Sequence, residues 1–136
     1  MSYSVALGER ARLSFAERCA ARGCTAVARL LTAFSPRVLC GVLDTVRRGA
    51  RPATESEALR ARHAVVTVSV RCAGNGCLQR SVATALLCRA RGGWPQWCTG
   101  VRTEPFRAHA WVAVDGRPVG EPDDTRLYQP LLRVPR

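Results

Sequence analysis

One stretch constrains this chain more than any other: NGCLQRSVATALLCRARGG, residues 75–93. Asn75-Gly76 is a turn dipeptide, and Gly92-Gly93 is a stop. Between them Leu78, Val82, Ala85, Leu86 and Ala90 recur at spacings of three and four, which predicts a helix with one apolar face. Cys77 falls in its first turn, where unpaired backbone N–H groups and the helix dipole favour an anion. A thiol placed there is a candidate thiolate. Whether it is a nucleophile depends on finding a base.

Composition bounds the alternatives. A chain of 136 residues is read as one domain, with 1–53 as an N-terminal helical part and 54–136 as the core. A hydrophobic share of 47% excludes a disordered chain. No apolar run is long enough for a membrane span, and MSYSVALGERARLSFAER is charged too early for a signal peptide. The expectation is cytoplasm, where thiols stay reduced, with no membrane partner. The seven cysteines are an odd number without paired CxxC spacing, and only His63 and His109 accompany them. That argues against a disulfide framework and against structural zinc. Most of them, Cys19, Cys24 and Cys40 included, read as small buried hydrophobes. All 21 basic residues are arginine, a bias that points to a GC-rich bacterial genome, and the net charge is +11. Such a field attracts acidic partners. The arginines are nevertheless dispersed and no RNP, zinc-finger or basic-zipper motif occurs, so no nucleic-acid partner is expected.

Residues 5–34 read as helix, broken near Gly23, with Leu7, Ala11, Phe15 and Cys19, then Val27, Leu30, Leu31 and Phe34, at helical spacing. Ser35-Pro36 is an N-cap followed by proline at the first helical position. It opens a second helix through Val38, Leu39, Val42, Leu43 and Val46, which Gly49-Ala50-Arg51-Pro52 ends. Thr54 and Glu57 form a capping-box signal. The following ALRARHAVVTVSVRC carries a strand-like alternation at Val66, Val68 and Val70, but the cap favours helix. His63 lies inside it with no site role assigned. Cys72 is either a packing residue or a resolving thiol.

Beyond Gly92-Gly93 a short strand is expected around Trp97–Arg102. A stronger hairpin signal follows, with Ala108–Val114, the turn Asp115-Gly116 and a return over Arg117–Gly120. His109, Trp111 and Ala113 share one strand face. The tail EPDDTRLYQPLLRVP ends in a candidate edge strand.

A cysteine at a helix start, a histidine on a later strand and an acid beyond it match the requirements of a thiol nucleophile with its base and ring orienter. Asp115 lies six residues along the strand from His109, about 20 Å at the strand rise, too far to orient the ring. A three-residue loop Val114-Asp115-Gly116 would pair Ala113 with Arg117 and set Glu121 opposite His109. A two-residue Asp-Gly turn would set Pro122 there and turn Glu121 away. The expectation is therefore the three-residue loop and Glu121, with Asp123 as fallback. The Cys77 N–H is the expected oxyanion donor, with Asn75, Gln79 or a tryptophan as the second. Gln79 and Arg80 can equally be helix-surface residues, and Ser81 a packing residue.

The blocks CLQRSVATALLCRARGG, WCTGVR and PFRAHAWVAVDGRPVGEP resemble the lasso peptide leader peptidases, a branch of the transglutaminase-like superfamily. The resemblance runs from about Pro52 to the end, and weakly through the N-terminal helices, and the chain is similar to the split actinobacterial form, in which the peptidase stands alone. It implies an α+β, transglutaminase-like or papain-like cysteine protease core with N-terminal helices packed on a small antiparallel sheet. The family's cysteine, histidine and acid fall on Cys77, His109 and Glu121; the acid is usually Asp, so Glu121 departs from the pattern. The implied activity is hydrolysis of a lasso precursor peptide at its leader–core junction, without metal or organic cofactor. The implied partners are the precursor's leader region, a separate leader-recognition protein and an ATP-dependent lasso cyclase.

Overall fold

A computed structural model describes residues 13–135; the expected apolar positions Leu7 and Ala11 lie outside them. Helix α1 (Phe15–Leu31) starts at a capping box in which Ser14 and Glu17 satisfy each other's backbone N–H groups. It runs unbroken through Gly23, contrary to expectation. A glycine costs a helix interior only about 1 kcal/mol, which its neighbours here sustain. The buried side is also not the expected stripe. Ala21, Thr25 and Ala28 face inward, while Phe15 is 83% and Leu30 71% exposed. Small residues let α1 approach its neighbours closely, and Cys19 on the opposite side is exposed rather than core.

Helix α2 (Pro36–Arg47) has Ser35 as N-cap and proline in its first turn, as read from the sequence, and buries Leu39 and Leu43. A two-residue strand β1 (Arg51–Pro52) leads to α3 (Glu55–Val68), capped by the expected Thr54–Glu57 box. The valine alternation resolves in favour of helix. α3 continues to Val68, and extended Ser69 (φ −135°) breaks it and caps the single turn α4 (Val70–Ala73).

Helix α5 (Cys77–Ala90) is the centre of the molecule. Instead of one apolar face, it buries Gln79 through Ala85 together with Leu87 and Cys88. Helices α1 and α3 flank it and the sheet lies beneath. After it come β2 (Gly93–Trp94), parallel to β1, then β3 (Gln96–Arg102), β4 (Arg107–Val114) and β5 (Arg117–Pro118). A 3₁₀ helix (Asp123–Leu127) and β6 (Gln129–Val134) complete the chain. The antiparallel sheet has the order β5-β4-β3-β6, so the apolar tail is an edge strand as expected.

The sheet's two faces differ. Trp97, Val112 and Val134 join the helices in the main core, where each large side chain contributes about 1.5–3 kcal/mol of burial. Two tryptophans tie that face polar-to-polar: Trp97 Nε1 donates to Ser81 Oγ (3.0 Å) and Trp94 Nε1 to the Val134 carbonyl (3.0 Å). On the other face Cys98, Trp111 and Ala113 pack beneath Tyr128. Thus the fold is α+β, helices on a small antiparallel sheet. Among the described residues no helix is long and apolar enough to cross a membrane.

Candidate active site

Cys77 is set by the turn before it. Gly76 (φ −83°, ψ 56°) has the dihedrals of an inverse γ-turn, and the Cys77 N–H donates to the Asn75 carbonyl at 3.0 Å. The expected oxyanion donor is therefore already engaged in this structure. Gly76 also passes so close to α4 that a Cβ would stand 2.7 Å from the Arg71 carbonyl oxygen. The thiol is consequently held at the very first position of α5, half-buried.

The hairpin corrects the expected register. Val114 pairs with Arg117 and Ala113 with Pro118, so the loop is the two-residue Asp115-Gly116, not three residues. Both have positive φ, 52° and 77°, as a type I′ turn requires. That register alone would turn Glu121 away from His109. The chain avoids this by leaving the ladder: the last bond is Val119 N–H to the Val112 carbonyl (3.0 Å), after which Gly120 takes φ +68°. The re-aimed chain brings Glu121 to His109 after all, with Oε1 2.6 Å from Nε2. By ladder parity the next N–H on that edge, Ala110's, has lost its strand partner. It hydrogen-bonds the Cys77 thiol instead.

The three expected side chains therefore meet at one place. Cys77 hydrogen-bonds His109, which bonds Glu121. His109 is further held between two aromatic rings, stacked on Trp111 (centroids 5.8 Å, 18° between planes) and tilted against Tyr128 (5.4 Å). Arg102 lies over the outer face of Tyr128 at 5.8 Å and pairs with Asp124. Opposite His109 on β3 stands Gly100, where a Cβ would fall 2.9 Å from the Trp111 ring and 2.6 Å from the Gln129 carbonyl oxygen. A cleft of about 670 Å³ opens over the thiol and the imidazole, with Asn75, Arg107, Asp124 and Tyr128 on its walls.

Electrostatics favour an ion pair. Burial pushes the Cys77 thiol up, but the hydrogen bonds from His109 and the Ala110 backbone, with the charges of His109 and Arg80, together bring it below the ordinary thiol value. Burial pushes His109 down, yet its bonds to Cys77 and Glu121 and their negative charges win, raising it to about 9. By contrast burial first, with the negative charges of Glu57 and Cys24, takes Cys88 up to about 12, and burial takes Cys98 up to about 11. Cys72, weighed as a resolving thiol, is buried in the core and pushed up by desolvation.

Other expectations shift. Gln79 and Arg80 are not surface residues: Gln79 Nε2 donates to the Thr25 carbonyl, and Arg80 donates to the carbonyls of Cys72 and Gly74. Asp115 is exposed at the turn and Asp123 is exposed on the 3₁₀ helix, neither touching His109. His63 sits on α3, away from the cleft. Three contributors were missed. Arg62, only 2% exposed, places Nε 3.4 Å from Glu121 Oε2. Tyr128 and Gly120 are the others. An arginine in an apolar helix was the one signal available for Arg62, since a buried charge needs a partner. Among the described residues no group of three His, Cys, Asp or Glu is placed to hold a metal ion.

No curated protein and no solved structure matches the chain. A family model, described as the transglutaminase-like superfamily, matches residues 21–133 and so takes in most of α1, the cysteine helix and the sheet up to, but not including, the last residue of β6. With that match the chain belongs to the transglutaminase-like superfamily.

Proposed function

We propose that this chain is a cysteine peptidase that removes the leader from a lasso peptide precursor. The observation that carries the reading is the contact sequence Cys77–His109–Glu121, with the thiol and the imidazole lining an open cleft and the carboxylate buried behind them. Cys77 is the nucleophile and attacks the scissile carbonyl as a thiolate. His109, oriented by Glu121 through Nε2, works with its other nitrogen, Nδ1: it holds the thiol proton and passes it to the departing amine. That amine is the N-terminus of the core peptide, which leaves at this step; water then hydrolyses the thioester that Cys77 holds and releases the leader. The chain's own residues supply every proton transfer, and the reading needs no metal or organic cofactor.

The site of action in this reading is the cytoplasm, and the partners are the precursor's leader, a separate leader-recognition protein and the cyclase that consumes the new amine. Docking of the recognition protein is assigned to the outer side of α1 and the start of α2. Support comes from Phe15, Val27, Leu30, Phe34 and Val38, all exposed apolar side chains, beside the exposed Arg18, Arg22, Arg29 and Arg37. An apolar strip bordered by cations suits a partner that presents apolar side chains with carboxylates.

Superfamily members include acyl transferases as well as peptidases, and the same thiolate could pass its acyl group to an amine. Products separate the two. The purified chain, mixed with precursor with and without the recognition protein, is expected to yield leader and free core by intact mass. A new isopeptide bond would instead indicate transfer, and unreacted precursor in both mixtures would reject the peptidase.

A further inference from the structure

We propose that Arg62 is a fourth member of this site, a positioning residue whose fixed charge keeps Glu121 anionic and so keeps the proton on His109. The inference rests on the reading of Cys77 and His109 as nucleophile and base.

The side chains of Glu121 and Arg62 are each 2% exposed, the carboxylate dividing its oxygens between Arg62 Nε (3.4 Å, Oε2) and His109 Nε2 (2.6 Å, Oε1). A buried carboxylate facing a histidine alone has an alternative: the proton crosses from Nε2 to the carboxyl oxygen, leaving two neutral groups and no desolvated charge. A neutral imidazole then holds the Cys77 thiolate less strongly. Arginine closes that route because a guanidinium does not give up its proton in a protein. The charges then alternate through the site, from Arg62 to Glu121, His109 and Cys77, with Arg80 acting on Cys77 from α5. The remaining charged groups at the cleft are Arg107 on β4 and Asp124 on the 3₁₀ helix, the latter paired with Arg102 from β3. Neither pairs with Glu121, whose ionic partners among the described residues are Arg62 and His109.

The backbone is shaped for this contact. At Gly120 (φ +68°) a Cβ would stand 2.6 Å from Arg62 Cδ and 3.0 Å from its Nε. The chain can thus cross directly over the arginine stem and present the next residue, Glu121, to the guanidinium.

The test reads the pH dependence of Cys77 alkylation by iodoacetamide, followed by peptide mapping, so no substrate is involved. Arg62→Met is expected to move the lower-pH limb up by about one unit, about tenfold in rate below it, and Arg62→Lys to restore most of that loss. A merely structural role lowers the melting temperature but leaves the limb in place, and that result overturns the proposal. If Arg62→Met does not fold, the double variant Arg62→Met/Glu121→Gln, which removes both charges of the pair, carries the same question. Because Arg62 acts through Glu121, the double variant is expected to reproduce the profile of Glu121→Gln alone. A further upward shift in the double would show an independent action and overturn the proposal. A wild-type chain with no lower-pH limb would instead reject the underlying nucleophile–base reading.

Discussion

Replacing Cys77 by alanine is expected to abolish precursor cleavage, a loss of about 10⁶-fold, since a nucleophile and its base act as a unit. The fold should survive. The thiol is half-buried and forms no disulfide, while α5 is anchored by Gln79 through Ala85, Leu87 and Cys88. Alanine also suits the first turn of a helix. The measurement is product formation by mass spectrometry, beside a thermal melt and a binding assay for precursor. Full processing by a folded Cys77→Ala protein would remove the enzyme reading and leave a basic binding module.

The second large effect separates the two acids. Glu121→Gln is expected to lower the cleavage rate by about 10²–10⁴-fold, the scale seen when a ring-orienting carboxylate becomes an amide. An amide holds His109 in place but cannot stabilise its charge. The same change takes the Glu121 carboxylate away from the buried Arg62 guanidinium, so stability should fall by about 3 kcal/mol in urea unfolding. Rates must therefore be taken where the variant is fully folded. Asp115→Asn is expected to change neither. Asp115 is exposed, with φ 52° in a type I′ turn, and asparagine is at home there. If Asp115→Asn were the damaging change, the assignment of Glu121 would fail.

Local chemistry was readable in advance. The Ser35 and Thr54 caps, the helix starting at Cys77, the hairpin turn and the C-terminal edge strand all depend on neighbours within a few residues, and each stands where its residues indicated. Placement across the fold was less so. Helical spacing marked the larger side chains, Phe15, Val27 and Leu30 among them, as the apolar stripe of α1, and the structure buries another face. Close packing against α5 favours Ala21, Thr25 and Ala28. The hairpin is the more instructive case. Register reasoning selected Glu121 through a three-residue loop, and the loop has two. Glu121 still reaches His109 because one positive-φ glycine takes the chain out of the ladder. Nothing in a strand pattern marks where pairing will stop, and a glycine between valine and glutamate does not declare its φ. Arg62 was hidden for a related reason. Its partner lies on a distant segment, and sequence spacing says nothing about such a pair.

The central claim is that Cys77 is a thiolate held by a protonated His109, and the pH profile of its alkylation tests that most directly. Peptide mapping separates Cys77 from exposed Cys19 and from Cys88 and Cys98, whose burial keeps them protonated. Cys77 lies below the ordinary thiol value and His109 is raised to about 9. Between those two limits the pair is thiolate and imidazolium. The rate should therefore rise below the ordinary thiol pKa, hold a plateau, and rise again near pH 9 as the imidazolium loses its proton. Cleavage should instead fall through that second limb, because the acid that protonates the leaving amine is gone. In His109→Ala the plateau should vanish. A single titration of Cys77 at the ordinary thiol value, unchanged by His109→Ala, would contradict the account.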